Sequence, residues 1–115
     1  MERLNKELLK GSSTTVILSI LNRREMYGYE LIKEIEKESK GTFTYKEGTL
    51  YPLLHQLERD GAIDSRWEET DSNRKRKFYQ ITTQGRRLLD EKKREWTEFR
   101  TVIDELIASR SLAGA

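Results

Sequence analysis

Four consecutive basic residues are the clearest candidates for binding chemistry in this chain of 115 residues. They are Arg74, Lys75, Arg76 and Lys77, and they follow Thr70-Asp71-Ser72-Asn73, whose residue types favour a turn. Guanidinium and ammonium groups clustered in this way attract the phosphates of duplex DNA. On an extended strand roughly two side chains point to each side, so only part of the set reaches one row of phosphates. A solvated hairpin tip is the alternative, and phosphate contact is the interpretation we favour.

A second group of polar side chains lies on a helix predicted from about Glu47 to Asp60, with Gly61 as its stop. The inner stripe of this helix is apolar and consists of Leu50, Leu53, Leu54 and Leu57. The outer face carries Gly48, Pro52, His55 and Arg59, flanked by Thr49, Tyr51 and Gln56. A surface selected only for solubility would use lysine and glutamate here. Because the major groove of B-DNA admits a helix, this face and the preceding Lys46 are predicted to contact DNA.

Three aromatic side chains near this helix are further candidates. His55 is the single histidine of the chain, and without a second ligand or a nearby nucleophile it is predicted to make a polar contact rather than to catalyse. Tyr27 and Tyr29 lie in the turn before the second main helix. We expect one ring to be buried and the other hydroxyl to donate to a phosphate. The sequence leaves open which tyrosine does which.

The elements that position these residues begin with apolar residues at spacings of three and four, which predict one long helix from about Asn5 to Asn22. The cluster Gly11-Ser12-Ser13-Thr14 could instead start a second, shorter helix, and this alternative stays open. A turn over residues 23–28 leads into the next helix, which Gly41 is expected to stop. The predicted inner face of that helix consists of Leu31, Ile32 and Ile35.

Two short strands are predicted to follow the helix that ends at Gly61. In the first, Ile63, Ser65 and Trp67 alternate with outward polar residues, and the second runs from Phe78 to Thr82. A helix beside a basic hairpin is the arrangement of a winged helix-turn-helix, in which the hairpin is the wing. The predicted fold class is therefore mainly α with a small β-hairpin (α+β), extended by one long C-terminal helix.

The C-terminal helix is predicted from Thr83, with Thr82 or Thr83 as its N-cap, to about Ile107. Its apolar residues recur near seven-residue spacing, which is typical of a helix that packs on another helix. Residues 109–115 are short, small and polar, so they are expected to fray as a flexible tail and cannot supply the partner. The same helix, or the first helix, of a second subunit is the predicted partner. The seam consists of Leu89, Trp96, Phe99, Ile103 and Leu106, with Leu8 from the first helix.

These elements divide the chain into a DNA-binding unit over residues 1–82, a dimerisation helix over residues 83–108 and the tail. Charged residues make up 37% of the chain and hydrophobic residues 35%, a balance that favours burial of apolar surface between subunits. The net charge is only +2, so the case for nucleic acid depends on local clusters of charge.

Several classes of protein receive little support. The chain has no cysteine, which excludes disulfides and thiolate metal sites, and we expect no metal and no cofactor. The longest apolar run, from Val16 to Leu21, is too short to span a bilayer, so no membrane partner and a cytoplasmic location are expected. A glycine-rich phosphate loop, a Gly-x-Ser-x-Gly elbow and a pair of histidines for zinc are all absent, so an enzyme is not predicted.

Three segments carry a resemblance to a known family. They are Met26-Tyr27-Gly28-Tyr29-Glu30-Leu31, the run from Glu47 to Glu58 that includes Gly48-Thr49-Leu50-Tyr51-Pro52, and Arg76-Lys77-Phe78-Tyr79. The chain resembles the PadR family of transcriptional regulators over nearly its whole length. The resemblance implies a homodimeric repressor with one winged helix per subunit and a single C-terminal dimerisation helix. It further implies binding to double-stranded operator DNA and release by small aromatic effectors.

Trp96 has two interpretations. It is either a large apolar side chain in the dimer seam or, by similarity to a multidrug-binding member of the family, one of two rings that sandwich a small planar aromatic ligand. In place of Lys93 and Arg100 that relative has an aromatic residue and a carboxylate. A neutral or anionic effector is therefore expected, because cations would meet like charge. The alternative function is a winged helix that docks proteins and binds neither DNA nor an effector.

Overall fold

The computed structural model describes residues 6–109 and confirms an α+β fold. Within that range it has five helices and one three-stranded antiparallel sheet. The elements in chain order are α1 (Lys6–Gly11), α2 (Ser13–Leu21), β1 (Met26–Tyr27), α3 (Gly28–Glu38), α4 (Glu47–Arg59), β2 (Ile63–Glu69), β3 (Lys75–Ile81) and α5 (Thr83–Ala108).

The core lies between α2, α3, α4 and the base of the sheet. The predicted inner face of α3 is confirmed, since its three apolar residues are all buried. In α4, three of the four predicted inner leucines are buried, and Leu53 is partly buried against the same core. Burying a side chain of this size typically stabilises a fold by about 1.5–3 kcal/mol. The largest fully buried side chains are Tyr79, Ile17, Leu18, Met26, Leu31, Ile35, Leu50, Leu54, Ile63 and Leu89.

The first helical segment is broken at Ser12, so the long uninterrupted helix is wrong and the alternative with two helices is observed. Ser12 precedes α2, but its hydroxyl does not cap that helix and instead donates to the carbonyl of Leu8 at 2.9 Å. The hydroxyl of Ser13 lies 2.7 Å from the hydroxyl of Tyr45 and joins α2 to the segment before α4. The predicted start at Asn5 lies outside the described residues.

Glycines mark the ends of the next two helices, as predicted. The backbone N–H of Gly41 donates to the carbonyl of Glu36 at 2.8 Å, just beyond the end of α3. Helix α4 ends one residue earlier than expected, and Gly61 follows it with a φ of 81°. That left-handed conformation strains any residue with a Cβ and explains why glycine stands there.

The sheet is larger than the predicted hairpin, because Met26 and Tyr27 form a third strand where a turn was expected. The strand order is β1-β3-β2, and β1 pairs with β3 through Met26 and Tyr79 and through Tyr27 and Phe78. The second predicted strand begins three residues earlier than expected, at Lys75, so most of the basic cluster belongs to β3.

Helix α5 begins at Thr83, and Thr82 is its N-cap, because the Thr82 hydroxyl accepts from the backbone N–H of Gly85 at 2.9 Å. The same hydroxyl donates to the carbonyl of Gly61 at 2.6 Å, which ties the start of α5 to the end of α4. Leu89 was predicted to lie in the dimer seam, and this is wrong. It is buried in the core of its own chain, because the first turns of α5 pack on α2 and β3.

The rest of α5 extends away from the winged helix and gives the described chain extents of 70 × 31 × 20 Å. The helix ends at Ala108, one residue beyond the predicted end, and most of the predicted tail lies outside the described residues. Between residues 6 and 109, no helix is both long enough and apolar enough to cross a bilayer.

Candidate nucleic-acid interface

The outer face of α4 is open to solvent. Gly48, Thr49, Pro52 and His55 are all exposed along it, and Lys46 is exposed at the N-cap. Pro52 lies in the second turn of α4, deeper than its missing N–H would favour, but on the solvent side of the helix. The face that was predicted to contact DNA is therefore free in this chain.

Tyr51 differs from these neighbours, since it is half-buried and its ring lies against the start of α3. A Cβ added to Gly28 would overlap the Tyr51 ring, so the glycine lets the two helices approach each other closely. Burial raises the pKa of the Tyr51 hydroxyl above its ordinary value, and the nearby charge of Glu47 raises it further. Tyr51 therefore stays a neutral hydroxyl, able both to donate and to accept a hydrogen bond.

The structure distinguishes the two tyrosines that the sequence left open. The Tyr27 ring packs edge-on against Phe78 with 5.6 Å between ring centroids, and the Arg76 guanidinium lies 4.4 Å from its centroid. Tyr29 is 49% exposed, and the Lys33 ammonium lies 5.3 Å from its ring. Tyr27 is the more tightly packed ring and Tyr29 the more exposed one, although both line the cleft described below.

The wing divides its basic side chains between its two faces. Lys75 and Lys77 share one face of β3 and Arg76 lies on the other, while Arg74 is exposed in the loop before the strand. The Lys77 ammonium lies 3.7 Å from a carboxylate oxygen of Glu58, on α4. Two cations on one face match the number expected for an extended strand.

A cleft of about 440 Å³ separates the wing from α4 and the start of α3. It brings together seven of the twelve residues that were predicted to contact DNA. The other five, on the first turns of α4 and in the wing loop, lie outside it. The cleft is lined by Tyr27, Gly28, Tyr29, Tyr51, His55, Trp67, Lys75, Arg76, Lys77 and Tyr79.

Arg66 makes a contact beside the cleft that the sequence did not reveal. Two of its nitrogens donate to the two carboxylate oxygens of Glu25 at 2.7 and 2.5 Å, and it also donates to Glu68 at 2.7 and 2.9 Å. The hydrogen bonds from Arg66 lower the pKa of Glu25 below its ordinary value, so the pair is charged at neutral pH. Glu25 precedes Arg66 by 41 residues, and no local sequence pattern indicates the contact.

Trp67 was also missed as a site residue, although it lies on the face that the alternation predicted. That face is buried at Ile63 and becomes exposed towards the wing tip, because β2 extends beyond the core. As a result, 65% of the Trp67 surface is exposed, and its ring lines the cleft.

A second candidate site is a groove of about 390 Å³ between α1 and the middle of α5. Leu8, Trp96 and Phe99 line it, and the Trp96 and Phe99 rings meet edge-on with 6.1 Å between centroids. Trp96 is 39% exposed and Phe99 57% exposed. The remaining predicted residues of this site are exposed along α5, namely Lys93, Arg100, Ile103 and Leu106.

Within the described residues, no group of three or more His, Cys, Asp or Glu side chains could hold a metal ion. The cleft offers aromatic, hydroxyl and cationic groups on one surface. These groups suit recognition of a polyanion with stacked rings.

Comparisons with known proteins agree with this chemistry. The family model of the transcriptional regulator PadR-like family matches residues 17–91. The transcriptional regulator YqjI of Escherichia coli is 38% identical over 105 residues, and the match covers 91% of this chain but only 47% of YqjI. The chain thus spans about half the length of that relative.

Solved structures of similar length share the fold. A transcriptional regulator from Clostridium thermocellum has a TM-score of 0.79 at 33% identity, covering 87% of this chain and 97% of the other. A PadR-like transcriptional regulator from Bacillus cereus has a TM-score of 0.77 at 32% identity, covering 90% and 98%. These proteins are transcriptional regulators and not enzymes. The chain therefore belongs to the PadR-like family of transcriptional regulators, whose members bind DNA.

Proposed function

We propose that this regulator is a homodimeric repressor that binds an inverted-repeat operator in double-stranded DNA. The observation that carries the proposal is the cleft, where His55 on the outer face of α4 and the cations of β3 lie on one surface. A helix that enters the major groove leaves phosphates on both sides, and a basic hairpin beside it is placed to neutralise one of those rows.

The residues have different roles in this proposal. Thr49 and His55 are exposed on α4 and carry groups that can donate to or accept from base edges. Lys46, Arg74 and Lys75 contact phosphates, which sets affinity and register without reading sequence. Tyr29 adds a phosphate hydrogen bond from its exposed hydroxyl.

Dimerisation is supported by the apolar surface that α5 leaves open. Beyond Leu89, the helix exposes its apolar residues on a stripe that its own chain covers only in part, through α1. Exposed apolar surface of this extent marks an interaction site. A second copy has the same stripe, so a twofold pair buries both at once. Two recognition helices then read half-sites about 34 Å apart. The stripe consists of Trp96, Phe99, Val102, Ile103, Leu106 and Ile107.

An effector site between the two Trp96 side chains completes the proposal and rests on the family resemblance. Lys93 and Arg100 lie one turn before and one turn after Trp96, so the effector is a planar aromatic that is neutral or anionic. A ligand between the subunits changes their relative orientation and so couples effector binding to operator release.

Tryptophan fluorescence tests the effector. In a Trp67→Phe variant, Trp96 is the only tryptophan, and planar anions should quench its emission more strongly than planar cations of similar size. The same anions should weaken operator binding. Preferential quenching by cations, or unchanged operator affinity at saturating ligand, would contradict this part of the proposal.

The salt dependence of DNA binding tests the main proposal. Duplexes selected by the protein from a random pool should contain an inverted repeat, and affinity should fall steeply as salt rises. Lys75→Gln should reduce the slope of log affinity against log salt by about 0.9, the value for one phosphate contact. Lys37→Gln, at an exposed lysine that does not line the cleft, is the matched control. If selection retains no duplex, a protein-docking function replaces the proposal.

A further inference from the structure

The fold explains why position 67 of the wing is exposed, but it does not require a large aromatic side chain there. Its indole is 65% exposed in a small domain whose other wing side chains are mostly charged. The α1–α5 groove that supports the dimer does not include it. A large aromatic side chain that is exposed to solvent beside cationic groups indicates contact with a binding partner.

The register of the hairpin fixes which groups accompany Trp67. Trp67 lies opposite Lys77, and Glu69 on the same face lies opposite Lys75. Cross-strand partners are neighbours on one face of a sheet, so the indole lies within a small set of side chains that includes two ammonium groups. Such a set is complementary to a nucleotide, which has an apolar sugar and base and an anionic phosphate.

The orientation of this face is fixed by contacts on both sides of the wing. On the other face, Arg66 is bound to Glu25, and Arg76 lies over the ring of Tyr27. On the Trp67 face, the hydroxyl of Ser65 donates to a carboxylate oxygen of Glu58 at 2.5 Å. The wing is therefore held against α4, and Trp67 lines the same cleft as His55.

We propose that Trp67 contacts DNA directly, with its indole against a deoxyribose and base edge next to the major groove read by α4, while Lys75 binds a flanking phosphate and Lys77 stays paired with Glu58. The proposal rests on the operator binding proposed above and adds to it a contact that carries no charge. Apolar side chains that enter a groove of DNA and insert at base steps are an established mode of DNA contact. Such a contact adds affinity that depends on the shape of the duplex rather than on salt.

Acrylamide quenching tests the position of the indole. The difference in emission between the wild-type protein and Trp67→Phe isolates the signal of Trp67. Saturation with the selected duplex should reduce the acrylamide accessibility of that signal at least severalfold, because the indole leaves water. If Trp67 remains as accessible with duplex bound as without it, the proposal is wrong, and the side chain serves another partner.

Affinity measurements give an independent result. Trp67→Ala should weaken binding of the selected duplex about tenfold, in the range found when one aromatic–base contact is removed. The slope of log affinity against log salt should not change in Trp67→Ala, because no phosphate contact is lost, whereas Lys75→Gln should reduce this slope. Trp67→Phe should retain most of the affinity, and circular dichroism of each variant establishes that the domain is folded.

The outcomes separate this inference from the proposed function. If the wild-type protein binds no duplex, both fail. If the wild-type protein binds and Trp67→Ala binds equally well, the regulator function stands and the Trp67 contact is wrong. If Trp67→Ala lowers both affinity and the salt slope, the side chain acts by positioning the lysines, which also contradicts a direct contact.

Discussion

Tyr79 belongs both to the hydrophobic core and to the lining of the cleft. It is 1% exposed, pairs with Met26 in the sheet and also lines the cleft beside Tyr51. Burial, with smaller contributions from Tyr51 and Glu58, raises the pKa of its hydroxyl to about 12. The hydroxyl therefore stays protonated in the folded protein at pH values where a free tyrosine ionises.

This shift predicts a loss of stability in alkali. The unfolded chain has a tyrosine pKa of about 10. Because the pKa of Tyr79 is higher in the folded protein, the contribution of its protonated hydroxyl to the free energy of unfolding is fully present below about pH 10. That contribution is lost as the pH rises towards 12. Tyr79→Phe should make the decline of the unfolding free energy between these pH values less steep. Denaturant titrations at several pH values measure it, and an identical decline in wild type and variant would contradict the assignment.

At the residue scale, the sequence predicted the orientation of a side chain correctly where residues a few positions away determine that orientation. The outward residues of α4 were identified because helical spacing alone separates them from the leucine stripe. The roles of Tyr27 and Tyr29 could not be separated. Tyr27 is packed by Phe78 and Arg76, about fifty residues later in the chain, and such a contact leaves no periodic signal.

An ion pair between elements that are distant in sequence joins the wing to the segment before β1. Arg66 on β2 binds both carboxylate oxygens of Glu25, next to β1, and its guanidinium lies 5.5 Å from the centroid of Phe78 on β3. Both side chains of the ion pair are substantially exposed, so its contribution to global stability is small. Its main effect is geometric, since it joins β2 of the wing to the residue before β1.

Glu25→Gln should therefore alter the position of the wing without destabilising the fold. The expected result is faster hydrogen exchange at the wing amides and weaker operator binding, with a nearly unchanged melting temperature. Glu38→Gln is a matched control, because it removes the exposed ion pair with Arg23, at 2.9 Å, away from the wing. The pKa of Glu25 is lowered, so the contact should persist at neutral pH and be lost only below about pH 4.3, the ordinary value. Equal effects of the two variants would contradict a positioning role.

At the scale of elements, α4 and α5 were predicted within one or two residues, because glycine and threonine mark their ends, whereas the break at Ser12 between α1 and α2 was left open. The third strand was missed, since β1 has only two residues and forms because β3 provides its hydrogen bonds. The first strand of the hairpin was predicted, but the alternation placed Trp67 with the core residues. The sequence does not show how far a wing extends beyond its domain.

The described part of the chain is elongated because the later turns of α5 extend away from the winged helix. The spacing of apolar residues predicted that this helix forms a dimer seam, and the structure places one of the predicted seam residues, Leu89, in the core of its own chain. A heptad pattern does not distinguish a turn that packs on its own core from the turns that pack on a partner. Leu89 fits the pattern as well as Trp96 does, and only the position of α2 separates them.

A dimer through this stripe predicts that a charge on it separates the subunits without unfolding them. Phe99→Glu should yield monomers at micromolar concentration, since the side chain is 57% exposed in the single chain and leaves no cavity when replaced. Thr101→Glu, exposed on the opposite face of the helix, is the control and should remain dimeric. Sedimentation velocity measures the mass, and circular dichroism the fold. A dimeric Phe99→Glu protein would contradict this interface.

The pairing of β1 with β3 also bears on how the chain folds during synthesis. Met26 can pair with Tyr79 only after β3, which follows α2, α3 and α4 in the chain, has left the ribosome. Leu89 packs into the core later still. Contacts so distant in sequence are slow to form, because a long loop must be closed first. The emerging helices α2 to α4 therefore expose apolar surface until β3 and the first turns of α5 have been synthesised, and this interval is when chaperone binding would protect the chain most.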